Sequence, residues 1–406
     1  MDTVFYYIFI IFVIVCYIIN KKNMLELKIT EEQELLRDTI RDFAQNELKP
    51  IAAQIDENAK IPEDIIKKIG ELGILGAPFP VEYNGCGFGE CGYCIAVEEI
   101  ARVCLSTSTF IGAHVSIASN SIFLFGSEGQ KKKYLTLLAS GEKIGAFALT
   151  EAQAGSDSFN VMTKAVLDEE KNEWVLNGSK QWISNAPFAD IFVVFARTKR
   201  GVSAFIVEKG TDGFAVGAPE KKMGIRGSQT AALSFNNVRI PKDNLIGVEG
   251  RGFLIAMKAL DAGRLGLGAA CLGASKELLK LSVGYAKERK QFNEPISNFQ
   301  AVQFMLAEME TGIYQVESVV YRTAALYDQG KMTARHSAMV KLAASELLDK
   351  CADYAMQIFG GAGYSKEYPI ERFYRDARIN RIFEGTSEIQ KIVIAHDVLK
   401  KGECNY

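Results

Sequence analysis

Trp174-Val175-Leu176-Asn177-Gly178-Ser179-Lys180-Gln181-Trp182-Ile183-Ser184 is the stretch at which the chain changes its period. Asn-Gly between two short runs of β-branched and aromatic residues is a strong hairpin signal, because both residues accept the positive φ of a tight turn. The expectation is two strands, 174–176 and 181–184, turning at Asn177-Gly178. Residues 191–195, 204–207 and 232–235 read as further strands, which makes 145–246 a β-sheet domain. On both sides the pattern becomes helical. Upstream, Leu36, Ile40, Phe43 and Leu48 recur at helical steps behind a capping box at Thr30-x-x-Gln33, and residues 24–144 form a helical domain. Downstream of Gly247-x-x-Gly250-x-Gly252, long helical stretches over 253–290, 300–329 and 333–359 with short connections suggest a C-terminal four-helix bundle in residues 247–400. The fold class is therefore α+β multidomain, with a sheet held between helical domains.

Composition bounds the function. The chain has 406 residues, 48% of them hydrophobic, enough for large cores in two or three domains. Its 47 basic and 49 acidic residues leave a formal charge of −2 with no long basic run, which argues against nucleic acid as a partner. His114, His336 and His396 are far apart in sequence, so no metal site is expected. Cys86, Cys91 and Cys94 do have the C-x4-C-x2-C spacing of plant-type iron–sulfur proteins. Against a cluster, residues 95–103 read as an amphipathic helix, and three reduced thiols in a reducing compartment explain the spacing as well. No G-x-G-x-x-G follows a strand and no G-x-S-x-G is present, so neither a Rossmann site nor a serine hydrolase elbow is indicated.

The first 23 residues stand apart as a hydrophobic leader. Residues 4–19 are apolar apart from tyrosines, shorter than the ~20 residues of a comfortable membrane span, and are followed by Lys21 and Lys22. Two readings stay open: a membrane anchor with a cytoplasmic C-terminal body, or a start of translation at Met24.

The most informative residue is Glu384, in Arg381-Ile382-Phe383-Glu384-Gly385-Thr386-Ser387-Glu388-Ile389-Gln390. A carboxylate among apolar residues is desolvated, its pKa rises, and it becomes a stronger base toward a carbon acid. The alternative is an ordinary helix-opening glutamate. Ser387-x-x-Gln390 fits a reciprocal capping pattern, which would put backbone donors and a positive dipole end just beyond the acid.

Three segments together carry a resemblance: Ala148-Leu149-Thr150-Glu151-Ala152-Gln153-Ala154-Gly155-Ser156-Asp157, Gln357-Ile358-Phe359-Gly360-Gly361-Ala362-Gly363-Tyr364, and Phe383-Glu384-Gly385-Thr386-Ser387-Glu388. In this order, around a sheet held between helices, the chain resembles the acyl-CoA dehydrogenases over about residues 24–396. Ala152 departs from the proline common there. The resemblance implies a homotetrameric FAD enzyme that converts an acyl-CoA to its trans-2-enoyl form and passes electrons to an electron-transferring flavoprotein. It implies that Glu384 is the catalytic base, and that the acyl carbonyl is polarised by the backbone N–H of Glu384 together with the flavin ribityl chain. Ser156, Asp261, Arg264 and Gly385 match substrate-side positions. Phe147, Leu149, Thr150, Ser156, Trp182, Ile183 and Ser184 match the flavin-lining set, with serine at 184 where threonine is commoner. Arg289, Gln291, Phe299 and Gln300 match a pyrophosphate-binding stretch that reaches a neighbouring subunit's FAD, and an arginine fork suits phosphate oxygens. Gln357, Gly360, Gly361, Thr386, Ser387 and Glu388 match the adenosine end. Branches of the isovaleryl type keep their base at the place of Gly263, which here leaves Glu384 as the candidate.

The wording of residues 220–227, 260–273 and 374–378 looks most like short-chain, butyryl-type members. Medium-chain, long-chain or short branched-chain activity stays open, as does a non-catalytic acyl-CoA-binding flavoprotein. Pocket depth is expected to depend on how residues 110–117 pack, since one methylene is worth only about 1–3 kcal/mol. The expected location is cytoplasmic, with residues 4–19 a candidate anchor.

Overall fold

The computed structural model describes residues 29–401, so the candidate anchor lies outside the described residues. Helix α1 (Glu31–Phe43) opens on the expected box: the Thr30 hydroxyl accepts from Gln33 N and the Gln33 side chain accepts from Thr30 N. After shorter helices come α2 (Gly89–Ala101) and α3 (Leu105–Gly112), which continues into a π-helical segment, Ala113–Ser119. The region expected to be an amphipathic helix is instead enclosed, because every residue of α2 from Tyr93 to Ala101 is buried. The reason is tertiary: α4 (Gly252–Glu288) crosses one side of α2 and α1 covers another. At that crossing a Cβ on Gly273 would stand 2.1 Å from the Glu98 carbonyl oxygen, so only glycine lets the two backbones approach.

Helices α4, α5 (Gln300–Asp328), α6 (Ala334–Phe359) and α7 (Ser387–Lys401) form the C-terminal bundle, with α4 packed along α6. Between the helical parts lie β1 (Gly145–Ala148), β2 (Lys164–Asp168), β3 (Glu173–Ser184), β4 (Ile191–Thr198), β5 (Gly201–Glu208), β6 (Phe214–Val216), β7 (Thr230–Pro241) and β8 (Leu245–Ile246). They make one eight-stranded sheet in the order β6-β7-β3-β2-β4-β5-β8, with β1 parallel to β4. Phe192, Val194, Phe205, Leu233 and Trp174 fill one of its cores.

Asn177-Gly178 is not a hairpin turn. It lies inside the single twelve-residue strand β3, where the pairing with β7 slips between Leu176 and Gly178. Gly178 has φ +145°, and a Cβ there would meet Thr163 Cα at 2.7 Å. Glycine thus serves a bulge and a close backbone approach, a use that the dipeptide alone does not separate from a turn. A second slip in the same ladder, between Lys180 and Ile183, puts Trp182 at φ +59° and turns its indole out of the sheet, leaving it 57% exposed.

Candidate active site

A cleft of about 760 Å³ opens where the sheet meets the bundle. Its sheet-side wall holds Phe147, Leu149, Thr150, Ser156, Trp182, Ile183 and Ser184, and its helical wall holds Asp261, Gly263, Arg264, Glu384 and Gly385. The loop carrying Thr150 and Ser156 is tied to β3 by a buried pair. Lys180 Nζ donates to Glu151 Oε1 (2.7 Å) and to the Leu149 carbonyl (3.0 Å), while Met162 N and Thr163 N donate to the same carboxylate at 2.6 and 3.0 Å. Burial pushes Glu151 up, but Lys180 and the backbone donors outweigh it and hold the carboxyl at about 2. Burial brings Lys180 down to about 8 against the pull of Glu151.

Glu384 sits in the turn before α7 at φ +55°, the left-handed region that a non-glycine residue rarely adopts without surrounding support. That support is visible. Its carbonyl accepts from Arg264 Nε and Gln390 Nε2, both at 3.2 Å, and the Gly385 carbonyl accepts from Lys341 Nζ at 2.7 Å and Gln390 Nε2 at 2.9 Å. Arg264 is in turn held by Asp261 at 3.2 Å, and the Ser337 hydroxyl donates to the same carboxylate oxygen. With its backbone clamped, Glu384 directs its carboxyl toward α4, where a Cβ on Gly263 would lie 2.6 Å from Oε2. Oε2 is buried and has no hydrogen-bond partner. Burial raises the Glu384 pKa to about 7, with the charges of Arg264 and Lys341 pulling it partway back.

The sequence-derived residues divide into two groups. Eleven of them line this cleft: Phe147, Leu149, Thr150, Ser156, Trp182, Ile183, Ser184, Asp261, Arg264, Glu384 and Gly385. Arg289, Gln291, Phe299, Gln300, Gln357, Gly360, Gly361, Thr386, Ser387 and Glu388 do not. Arg289 caps α4, and Gln291 lies in a small hairpin whose tip residue, Phe292, is 89% exposed. The capping pattern at α7 is also shifted. Thr386 Oγ1 accepts from Ile389 N, the Ser387 hydroxyl donates to Glu346, and Gln390 spends its amide on the carbonyls of Glu384 and Gly385. Gln390 therefore braces the acid instead of closing a box.

Sequence reasoning missed Lys341, which is fully buried and brought down to about 8 by burial despite the pull of Glu384. A signal existed: Lys341 lies on the helical stripe of Ala338, Ala344 and Leu348, all buried. Of the three spaced cysteines, Cys86 donates to the Gly73 carbonyl and Cys94 is buried in the core. Among the described residues no three His, Cys, Asp or Glu side chains converge as metal ligands.

Comparisons with known proteins agree along the whole described chain. Family profiles described as the N-terminal, middle and C-terminal domains of acyl-CoA dehydrogenase match residues 30–142, 146–238 and 250–399. A short-chain specific acyl-CoA dehydrogenase of Clostridium acetobutylicum is 46% identical over 381 residues, covering 93% of this chain and 100% of that one. The structure of butyryl-CoA dehydrogenase from Megasphaera elsdenii matches with a TM-score of 0.90 at 40% identity, over 92% of this chain and 100% of that one. A chain from work on the electron transferring flavoprotein of Acidaminococcus fermentans matches with a TM-score of 0.91 at 42% identity, over 93% and 100%.

Proposed function

The chain belongs to the acyl-CoA dehydrogenase family, and on that premise we propose that it oxidises a short-chain acyl-CoA to the trans-2-enoyl-CoA with Glu384 as the base. The observation that carries the assignment is the Glu384 carboxyl: clamped through its backbone, buried at Oε2 without a partner, and raised to about 7 at the edge of a cleft. A thioester α-C–H is a weak acid, so its removal needs a base that is not stabilised by water or by a hydrogen bond. The backbone N–H of Glu384 takes the role of polarising the carbonyl. A pKa near neutrality leaves the carboxylate ready to accept a proton and, once protonated, able to return it.

The family's cofactor is FAD. The sheet-side wall suits such a group: Trp182 presents an indole more than half exposed from a strained position, a face that a planar ring would cover. Thr150, Ser156 and Ser184 supply hydroxyls beside it. Bound there, FAD supplies the acceptor for the hydride that leaves the β-carbon. Arg264 and Asp261 keep the acid's turn in place, and Gly263 leaves the room the carboxyl occupies.

Arg289, Gln291, Phe299 and Gln300, outside this cleft, belong in this reading to a neighbouring copy's cofactor in a homotetramer. Supporting this are Phe292, 89% exposed at the tip of its hairpin, and Tyr364, 83% exposed beside Gly361. We assign an electron-transferring flavoprotein as acceptor, in line with the relative from Acidaminococcus. A cytoplasmic location fits the six cysteines among the described residues, all of them free.

The test is anaerobic flavin bleaching by butyryl-CoA, with Glu384→Gln beside the wild type. The variant is expected to bind acyl-CoA and to reduce its flavin at least about 10²–10⁴-fold more slowly. Wild-type reduction by Glu384→Gln defeats the base assignment, and a flavin-free wild type after FAD supplementation defeats the enzyme reading.

A further inference from the structure

Behind the helical end of the cleft lies a second cavity of about 180 Å³. The π-helical segment Ala113–Ser119 forms the partition. Ala113 and Ile117 face the cleft, while Val115 and Ser116 face the second cavity. Tyr93, fully buried on α2, stands behind this partition without lining either cavity, and its hydroxyl accepts a 2.7 Å hydrogen bond from Ser116 Oγ. Two glycines on the cleft side show how near the wall stands. A Cβ on Gly266 would lie 2.8 Å from Tyr93 Cε1 and 3.1 Å from its hydroxyl, and one on Gly112 would lie 3.7 Å from that hydroxyl.

We infer that Tyr93, fixed by Ser116, is the residue that limits acyl chain length, by backing the end wall of the pocket. The inference rests on the reading that Glu384 acts at the α-carbon. Gly263 marks the carboxyl and Gly266 marks the wall, on the same face of α4 and three residues apart. The rise between them is about 4.5 Å. That admits about three C–C bonds of about 1.5 Å each, enough for the β- and γ-carbons of a butyryl group. Beyond the wall an alkyl chain meets Glu90, whose Oε1 has no partner, together with Asn120 and Asp328. Burial holds Glu90 at about 8. A chain forced past Tyr93 would desolvate these groups without satisfying them. The wall therefore limits length by the bulk of the Tyr93 ring and by the polarity of what stands behind it.

Two variants of the FAD-loaded enzyme test this in opposite directions, read as kcat/KM for butyryl-, hexanoyl- and octanoyl-CoA. Tyr93→Ala joins the two cavities and should raise the octanoyl-to-butyryl ratio by at least about tenfold, the discrimination that one methylene carries. Gly112→Ala adds a methyl at ordinary contact distance from the Tyr93 hydroxyl and should lower the hexanoyl-to-butyryl ratio by about tenfold. A flavin-loaded Tyr93→Ala enzyme that keeps the wild-type ratio overturns the inference. Should that variant fail to hold flavin, Gly112→Ala decides alone, and an unchanged hexanoyl-to-butyryl ratio overturns it. A wild type whose flavin no acyl-CoA reduces refutes the underlying function instead.

Discussion

Replacing Lys341 with methionine should move the acid limb of flavin reduction to higher pH. Lys341 touches the chain next to the base, donating to the Gly385 carbonyl at 2.7 Å, and its charge is one of two that pull the Glu384 pKa down. With a pKa of about 8, Lys341 is cationic through the range in which Glu384, at about 7, loses its proton. A nearby opposite charge lowers a carboxyl pKa by about one unit or more, and one unit corresponds to about 1.4 kcal/mol. Removing the cation withdraws that stabilisation from the carboxylate, so its pKa rises. In the wild type, kcat/KM for butyryl-CoA should climb about tenfold per pH unit below 7 and level off above it. In Lys341→Met the limb should lie about one unit higher, with rates about tenfold lower at pH 6 that converge with wild type above pH 9. Gln390 still donates to the Gly385 carbonyl, so the turn keeps a brace. The assay is stopped-flow flavin reduction from pH 5.5 to 9.5, over substrate concentrations that give kcat/KM. Superimposable profiles would refute the electrostatic role. A loss of equal size at every pH would refute it too, because a displaced loop, not a missing charge, produces that pattern.

Gly263→Ala places a Cβ 2.6 Å from Glu384 Oε2 and 2.8 Å from Ile117 Cγ2, so kcat should fall at least about tenfold while flavin content, read by absorbance, stays near one per chain. Lys180→Met strands the Glu151 carboxylate in a buried site, and thermal or denaturant unfolding should show a loss of about 3–5 kcal/mol. A change below about 1 kcal/mol would mean that the backbone donors suffice alone. Glu384 also links stability to pH. Its folded pKa, about 7, lies above the ordinary 4.5, so its contribution is fully present below 4.5 and is lost as pH rises through 7. Glu384→Gln should therefore gain in Tm relative to wild type between pH 5 and pH 8. A constant difference over that range would count against a desolvated carboxyl.

The order of helices, sheet and bundle was legible in the chain because apolar periodicity is local: residues 300–329 repeat at helical steps whatever they later pack against. The candidate acid was legible for a similar reason, an isolated carboxylate between apolar neighbours and a glycine. Tertiary contacts decided the rest. Asn177-Gly178 became a bulge, not a turn, because Thr163, the residue just before β2, presses against Gly178 in a way that sequence spacing does not reveal. Residues 95–101 became a core helix because α1 and α4 cover sides that composition had left open. Gln390 turned from capping toward the carbonyls of Glu384 and Gly385, which lie within reach only once the turn is folded. Lys341 acquired its influence on the acid from the packing of α6 against a loop more than forty residues away along the chain. Propensity and periodicity act over one or two turns of chain, whereas burial, close approach and charge coupling depend on distances in space. Which glutamate stands out is therefore written in the sequence, but the pKa that gives it its chemistry is set by the fold.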